Sequence, residues 1–203
     1  MSQYLLVEGN DDSHVIWSLL EKHKVDENFS VLDKKGIEKL LQVLPVQLKS
    51  SGVKSVGVVI DADVNIAGRW ASLRSIASRA GYTKFPDEPL AGGTIVEEEG
   101  MPRLGAWLMP DNTASGMLED FAAFLIPGDD KLLARARSAL QAIPPDDKRF
   151  VGAHDSKALI HTWLAWQEDP GTPMGLAITK KYLDGDCEKA VEFSTWMSKL
   201  FRN

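Results

Sequence analysis

Apolar and polar positions along the first third of the chain alternate between two periods. Residues 3–7 (QYLLV) form a short apolar run that ends in Glu8 and Gly9. Over residues 11–24 the apolar positions Val15, Ile16, Leu19 and Leu20 recur at helical spacing. Residues 29–32 predict a second strand. Residues 36–48 predict a second helix, with Ile37, Leu40, Leu41 and Leu44 on one side. The run 53–60 (VKSVGVVI) is β-branched and almost wholly apolar toward its end, the pattern of a strand buried on both faces. Residues 70–80 predict a third helix, ended by Gly81. Strand and helix alternating three times through short connections imply right-handed crossovers. The expected fold is therefore α/β, with a doubly wound, mostly parallel sheet flanked by helices.

The pattern then changes. Residues 82–105 are rich in Pro and Gly and carry Glu97-Glu98-Glu99, which reads as a loop or hairpin insertion. Residues 106–109 predict a further strand. From Met117 onward the periodicity is helical, over residues 118–125, 131–143, 157–166 and 187–201. The expected organisation is an α/β core over residues 1–127 and a helical part over residues 128–203 packed on it.

Composition narrows the function classes. A hydrophobic fraction of 44% supports an ordinary core, and no apolar run approaches the ~20 residues that span a bilayer, so no membrane association is expected. The opening MSQYLLVEGNDD lacks the basic segment of a signal peptide, which makes the cytoplasm the expected compartment. Cys187 is the only cysteine, excluding an internal disulfide and a cysteine-based zinc site. The formal charge is −6, and basic residues fall in short pairs such as Lys34-Lys35 and Lys180-Lys181. Phosphate neutralisation supplies most of the affinity of proteins that coat nucleic acid, so that class is disfavoured. A nuclease is not, because clustered carboxylates make a metal site acidic before the metal binds.

Two acidic clusters fall at strand ends, where doubly wound sheets collect their functional groups. Glu8 follows the first strand, with Asp12 in the first turn of the helix after it. Asp61 and Asp63 stand two residues apart after VGVVI, and alternation along an extended chain would direct both to one side. Crowded carboxylates repel each other at pH 7 unless a cation joins them. Hard oxygen donors suit Mg²⁺ or Mn²⁺, which keep several waters and bridge to phosphates. Two such ions can activate an attacking group and stabilise a leaving oxygen. Each acid taken alone also reads as a helix cap, and Asn10 or Asp11 is the expected cap of the first helix. Asp111-Asn112 reads as a turn. His14, His23, His154 and His161 lack the spacing of metal ligands. Trp163, Trp166, Phe193, Trp196, Leu200 and Phe201 read as core. No GxSxG, Walker A or GxGxxG sequence is present.

The motif Val7-Glu8-Gly9-Asn10-Asp11-Asp12 resembles the E-G-x-x-D opening of the Toprim domain, shared by topoisomerases, bacterial primases and OLD-family nucleases. Asp61-Ala62-Asp63 resembles its DxD motif, about fifty residues later. Gly116-Met117-Leu118-Glu119-Asp120-Phe121 is similar to the acidic-aromatic motif that follows in OLD-type nucleases. With WLMPDN (residues 107–112) and HTWLAWQEDPGTPMG (residues 161–175), nearly the whole chain looks like a small bacterial family of stand-alone Toprim-like proteins. The resemblance implies Glu8 as a ligand and general acid/base, Asp61 and Asp63 as ligands of the main Mg²⁺ or Mn²⁺, and Asp12 and Glu119 as completing a second metal position. Asp120 reads as either a ligand or a helix-start charge. Lys157 is the best match to the lysine that stabilises the transferring phosphate. The chain lacks a tyrosine-bearing second domain and a zinc domain, against topoisomerase or primase activity. A nuclease acting on DNA or RNA, in a defence system with a partner ATPase, is therefore the first expectation. The alternative is a non-catalytic module that binds metal, nucleotide or a partner.

Overall fold

The computed structural model describes residues 2–202. The α/β half runs β1 (Ser2–Val7), α1 (Asn10–His23), β2 (Ser30–Asp33), α2 (Ile37–Leu48), β3 (Val53–Asp61), α3 (Ile66–Ala80), β4 (Thr94–Val96) and β5 (Arg103–Met109). Helices α4 (Leu118–Phe124), α5 (Lys131–Gln141), α6 (Asp155–Ala165), α7 (Met174–Thr179) and α8 (Glu188–Leu200) follow, with 3₁₀ turns at Pro145–Asp147 and Gly152–His154. The five strands make one sheet in the order β2-β1-β3-β5-β4. All neighbours are parallel except β4, which pairs antiparallel with β5 as the hairpin edge of the 82–105 insertion.

The sheet is buried on both faces, which is why β3 reads as a continuous apolar run. Val56, Val58 and Ile60 pack with Leu40, Leu44, Trp70 and Leu73 from α2 and α3. Leu5, Val7, Val59, Trp107 and Met109 point the other way, into a second cluster with residues of α1, α4, α6, α7 and α8. The result is a three-layer, Rossmann-like arrangement in which the later helices supply most of one outer layer. Helix α8 packs directly on β3 and β5 through Leu200. Gly57 and Gly105 face each other across β3 and β5, and a Cβ on either would come within 2.8 Å of Leu200. Bare backbone at this pair is what lets Leu200 reach the sheet.

Trp163, Phe193, Trp196, Leu200 and Phe201 are core residues as expected, whereas Trp166, at the end of α6, is 42% exposed. Helix α7 is an addition to the expected elements. It packs along α1, with Gly175 so close to His14 that a Cβ would lie 2.6 Å from its carbonyl oxygen. Among the described residues, no helix is long and apolar enough to cross a membrane.

The connection after β1 leads to β2 on one side, and the one after β2 leads to β3 on the other. The crevice that this reversal opens lies between the carboxyl ends of β1 and β3. Ligands of open α/β sheets bind in such a crevice.

Candidate metal centre

Glu8 stands just past β1, Asp12 in the first turn of α1, Asp61 at the last position of β3 and Glu119 in the first turn of α4. These four acids, separated by up to 111 residues in sequence, line one cleft of about 620 Å³ together with Gly9, Asn10, Asp11, Gly36, His154 and Lys157. A cleft of this size accommodates a ligand of nucleotide dimensions.

Local structure holds each acid in place. Glu8 Oε1 accepts a hydrogen bond from the Asp61 backbone N–H at 2.8 Å. Asp61 Oδ1 accepts one from the Leu118 N–H at 3.0 Å, joining the tip of β3 to the start of α4. Asp61 continues the parity of Val59, so its side chain faces the α1/α4 layer. Asp12 Oδ2 accepts from the Gly9 N–H at 3.0 Å, the reverse contact of a capping box. The cap residue of α1 is thus Gly9, in place of the expected Asn10 or Asp11. The Lys157 ammonium, in the first turn of α6, stands 3.1 Å from Glu119 Oε1.

The electrostatics are those of acids held together out of water. Burial, then the neighbouring Asp12, Glu8 and Glu119 charges, push the Asp61 carboxyl up to about 8. Burial followed by repulsion from Glu8 brings Asp12 to about 7. Glu8 is also raised, chiefly by burial, against lowering contributions from the Asp61 N–H and the Arg69 guanidinium. Lys157 is held above the ordinary lysine range by Glu119. One acceptor in the cluster lacks a donor: Asp12 Oδ1 is buried without a hydrogen-bond partner. A cation would satisfy that oxygen and relieve the repulsion, so the residues fit a hard divalent ion.

They do not form a closed cage. Among the described residues, no three His, Cys, Asp or Glu side chains stand arranged to hold an ion by themselves. Glu8, Asp12, Asp61 and Glu119 each already hold a backbone N–H or an ammonium. The mutual repulsion favours a cation, whereas the open arrangement does not enclose one. For Mg²⁺ the repulsion weighs more, because that ion takes one or two carboxylates and keeps several waters.

Asp63 lies elsewhere. The strand ends at Asp61, and Asp63 has φ +51°, so the alternation that would align the two does not extend to it. Its carboxylate pairs with Arg69, whose Nε also donates to the Asp61 carbonyl at 3.0 Å. Asp63 does not line the cleft, although its charge is felt at Glu8. Its N–H donates to the carbonyl of Gly116 at 2.8 Å. Gly116 has φ +148°, and a Cβ there would meet the Asp120 carboxylate at 2.7 Å. Asp120 takes the cap role, accepting from the Met117 N–H at 2.9 Å and pairing with Ser156. Asp111 and Asn112 form the expected turn, with Asp111 Oδ1 accepting from the Thr113 and Ala114 N–H groups.

Arg69 is absent from the candidates drawn from sequence. The available signal was Asn65, which caps α3 through the Gly68 N–H. Starting the helix at Ile66 puts Arg69 in its first turn, pointing back at the DxD loop.

Fold and site define a Rossmann-like α/β protein with an acidic cleft at the topological switch point. Within that class, the chain belongs to the family described as "Protein of unknown function (DUF3226)", which it matches over residues 2–202. No curated protein and no solved structure matches it.

Proposed function

We propose that the cleft is a Toprim-type site for Mg²⁺- or Mn²⁺-dependent phosphodiester cleavage of nucleic acid. The observation that carries this reading is the gathering of Glu8, Asp12, Asp61 and Glu119, with Lys157, around one cleft at the carboxyl ends of β1 and β3. Glu8, Asp12, Asp61 and Glu119 are the ligands, and Asp12 Oδ1 is the oxygen with most to gain from a cation. A bound ion would supply charge to the transferring phosphate and an activated water. Glu8, its carboxyl raised by burial, is suited to exchange a proton with a nucleotide oxygen. The Lys157 ammonium, half-exposed beside Glu119, can pair with a phosphate oxygen entering the cleft. Asp63 acts through the loop that Arg69 holds, outside the ligand set. Binding and control of substrate by a partner ATPase fits the chain's acidic balance.

A second reading, a non-catalytic module for metal or nucleotide, is favoured by the open ligand arrangement. The two are separated by incubating purified protein with Mn²⁺ or Mg²⁺ and plasmid DNA, single strands and tRNA, alongside Mn²⁺ titration calorimetry. Cleavage that disappears in Glu8→Ala and Asp61→Ala supports the nuclease. Mn²⁺ binding without cleavage supports the module. Neither binding nor cleavage removes the metal-centre reading.

A further inference from the structure

Beside the acidic cleft, and sharing a wall with it, is a second cavity of about 250 Å³ lined by Arg137, Gln141, Lys148, Phe150, Asp155 and Ser156 together with Leu140 and Leu159. The shared wall is the start of α6. His154 and Lys157 face the acidic cleft, while Asp155 and Ser156 face the cavity. Ser156 also bonds Asp120, so this wall is tied to the start of α4, where Glu119 sits.

The chemistry of the cavity is opposite to that of the cleft. Residues 131–156 carry five Lys or Arg against three Asp, whereas the rest of the chain carries eighteen against twenty-six acids. The molecule is thus locally basic beside its acidic centre. Lys148 Nζ lies 4.7 Å from the centroid of the Phe150 ring and 2.8 Å from Asp155 Oδ1. Arg137 and Gln141 project from the last turns of α5, and among the described residues neither side chain has a hydrogen bond or ion pair. The Phe150 ring, which carries Lys148 over one face, an unpaired guanidinium and an unpaired amide together form a set that stacks on a base, reads its edge and neutralises the adjoining phosphate.

We propose that this cavity is a subsite for one unstacked nucleotide next to the phosphate held in the acidic cleft, which makes the preferred substrate single-stranded nucleic acid. The inference rests on the phosphodiester reading of the cleft and adds a substrate class to it. The size argues for one base: the volume falls below the roughly 300 Å³ of ordinary small-molecule sites. A base within a duplex is stacked and paired and cannot enter, whereas a single strand presents its bases freely.

The test is fluorescence anisotropy in EDTA, where nothing can be cut, with labelled ten-nucleotide dT and rU strands and a blunt duplex of similar length. Wild type is expected to bind the strands at least about 10-fold tighter than the duplex. Phe150→Ala and Arg137→Ala are each expected to weaken strand binding by about 10-fold, in the range of one lost stacking contact. Arg137 is exposed and Phe150 half-buried, and circular dichroism checks the folding of the variants. In parallel, calorimetry measures Mn²⁺ binding to the same variants, which is expected to be unchanged. Equal affinity for strand and duplex, variants that bind like wild type, or no strand binding by wild type overturns the subsite. Loss of strand binding in Phe150→Ala in a protein that takes up no Mn²⁺ would leave the subsite standing and remove only the nuclease reading.

Discussion

Glu8, one residue beyond β1, accepts through Oε1 the backbone N–H of Asp61 at the tip of β3, at 2.8 Å. The bond crosses the switch point of the sheet and uses one carboxylate to set the position of the next. Two substitutions separate its structural and chemical parts. Glu8→Gln keeps an acceptor and removes a buried charge, so the metal-free melting temperature should stay at or above that of wild type. Glu8→Ala leaves the Asp61 N–H without its partner and should melt about 2–4 °C lower, as expected for roughly 1 kcal/mol. Both should lose at least about 10-fold in Mn²⁺ affinity, the ~1.4 kcal/mol of one carboxylate ligand. Calorimetry and thermal melts in EDTA check the pair.

The cleft makes stability depend on pH in a particular direction. Asp61 is raised to about 8 and Asp12 to about 7 by burial among like charges. Both lie above the value of about 4 that an aspartate has in an unfolded chain. A carboxyl raised in this way contributes stability that is fully present below about pH 4 and lost as pH rises through 7 and 8. The metal-free melting temperature should therefore fall from about pH 5 to about pH 8. Saturating Mn²⁺ should flatten the slope, since the bound cation favours the ionised forms. A metal-free curve that climbs over this interval would count against the buried cluster.

Lys157 competes with a cation for Glu119, its partner at 3.1 Å. Lys157→Met should leave Mn²⁺ affinity equal to or higher than that of wild type. Its side chain is about half exposed, so the change in stability should stay below about 1 kcal/mol. Cleavage of a nucleic-acid substrate should nevertheless fall by 10²-fold or more, on the order of a lost transition-state charge contact. Unchanged turnover would remove the lysine from the site.

Asp61 and Asp63 should not be equivalent. Asp61→Asn should cost at least about 10-fold in Mn²⁺ affinity, whereas Asp63→Asn, which loosens only the Arg69 pair outside the cleft, should cost about 2- to 3-fold, under 1 kcal/mol. Arg69→Ala should resemble Asp63→Asn. Titration of the three variants side by side decides the order, and equal losses at Asp61 and Asp63 would bring Asp63 back into the ligand set.

Gly105 tests the docking of α8. Gly105→Ala sets a Cβ 2.4 Å from a Leu200 methyl, which should cost about 2 kcal/mol and lower the melting temperature by about 4–8 °C. Combining it with Leu200→Ala, which opens the space, should cost less than the sum of the two single changes. A double-mutant cycle by thermal melts reads the coupling.

The α/β half of the fold was legible because β1 and β3 are buried on both faces and α1 and α2 bury one, so burial wrote itself into the spacing of apolar residues. Helix α7 escaped because its six residues are too few to show a period and follow Pro170, Gly171 and Pro173; it exists by packing on α1. Glu8, Asp12, Asp61 and Glu119 were legible from their positions at the ends of strands and the starts of helices. Asp63 was misread on geometry because a left-handed residue after the strand has no parity to inherit. Arg69 was missed because the third helix was expected at Trp70, which left the arginine in a loop and concealed its reach back to Asp61 and Asp63.

The contact between Leu200 and the Gly57–Gly105 pair also bears on synthesis of the protein. Chain emerging from a ribosome exposes β1, β3 and β5 long before Phe193, Trp196 and Leu200 are made, so the face those side chains cover stays wet until nearly all of residues 2–202 have appeared. Contacts spanning so much sequence form late and slowly. Until α8 docks, the sheet face under Leu200 is an apolar surface open to water.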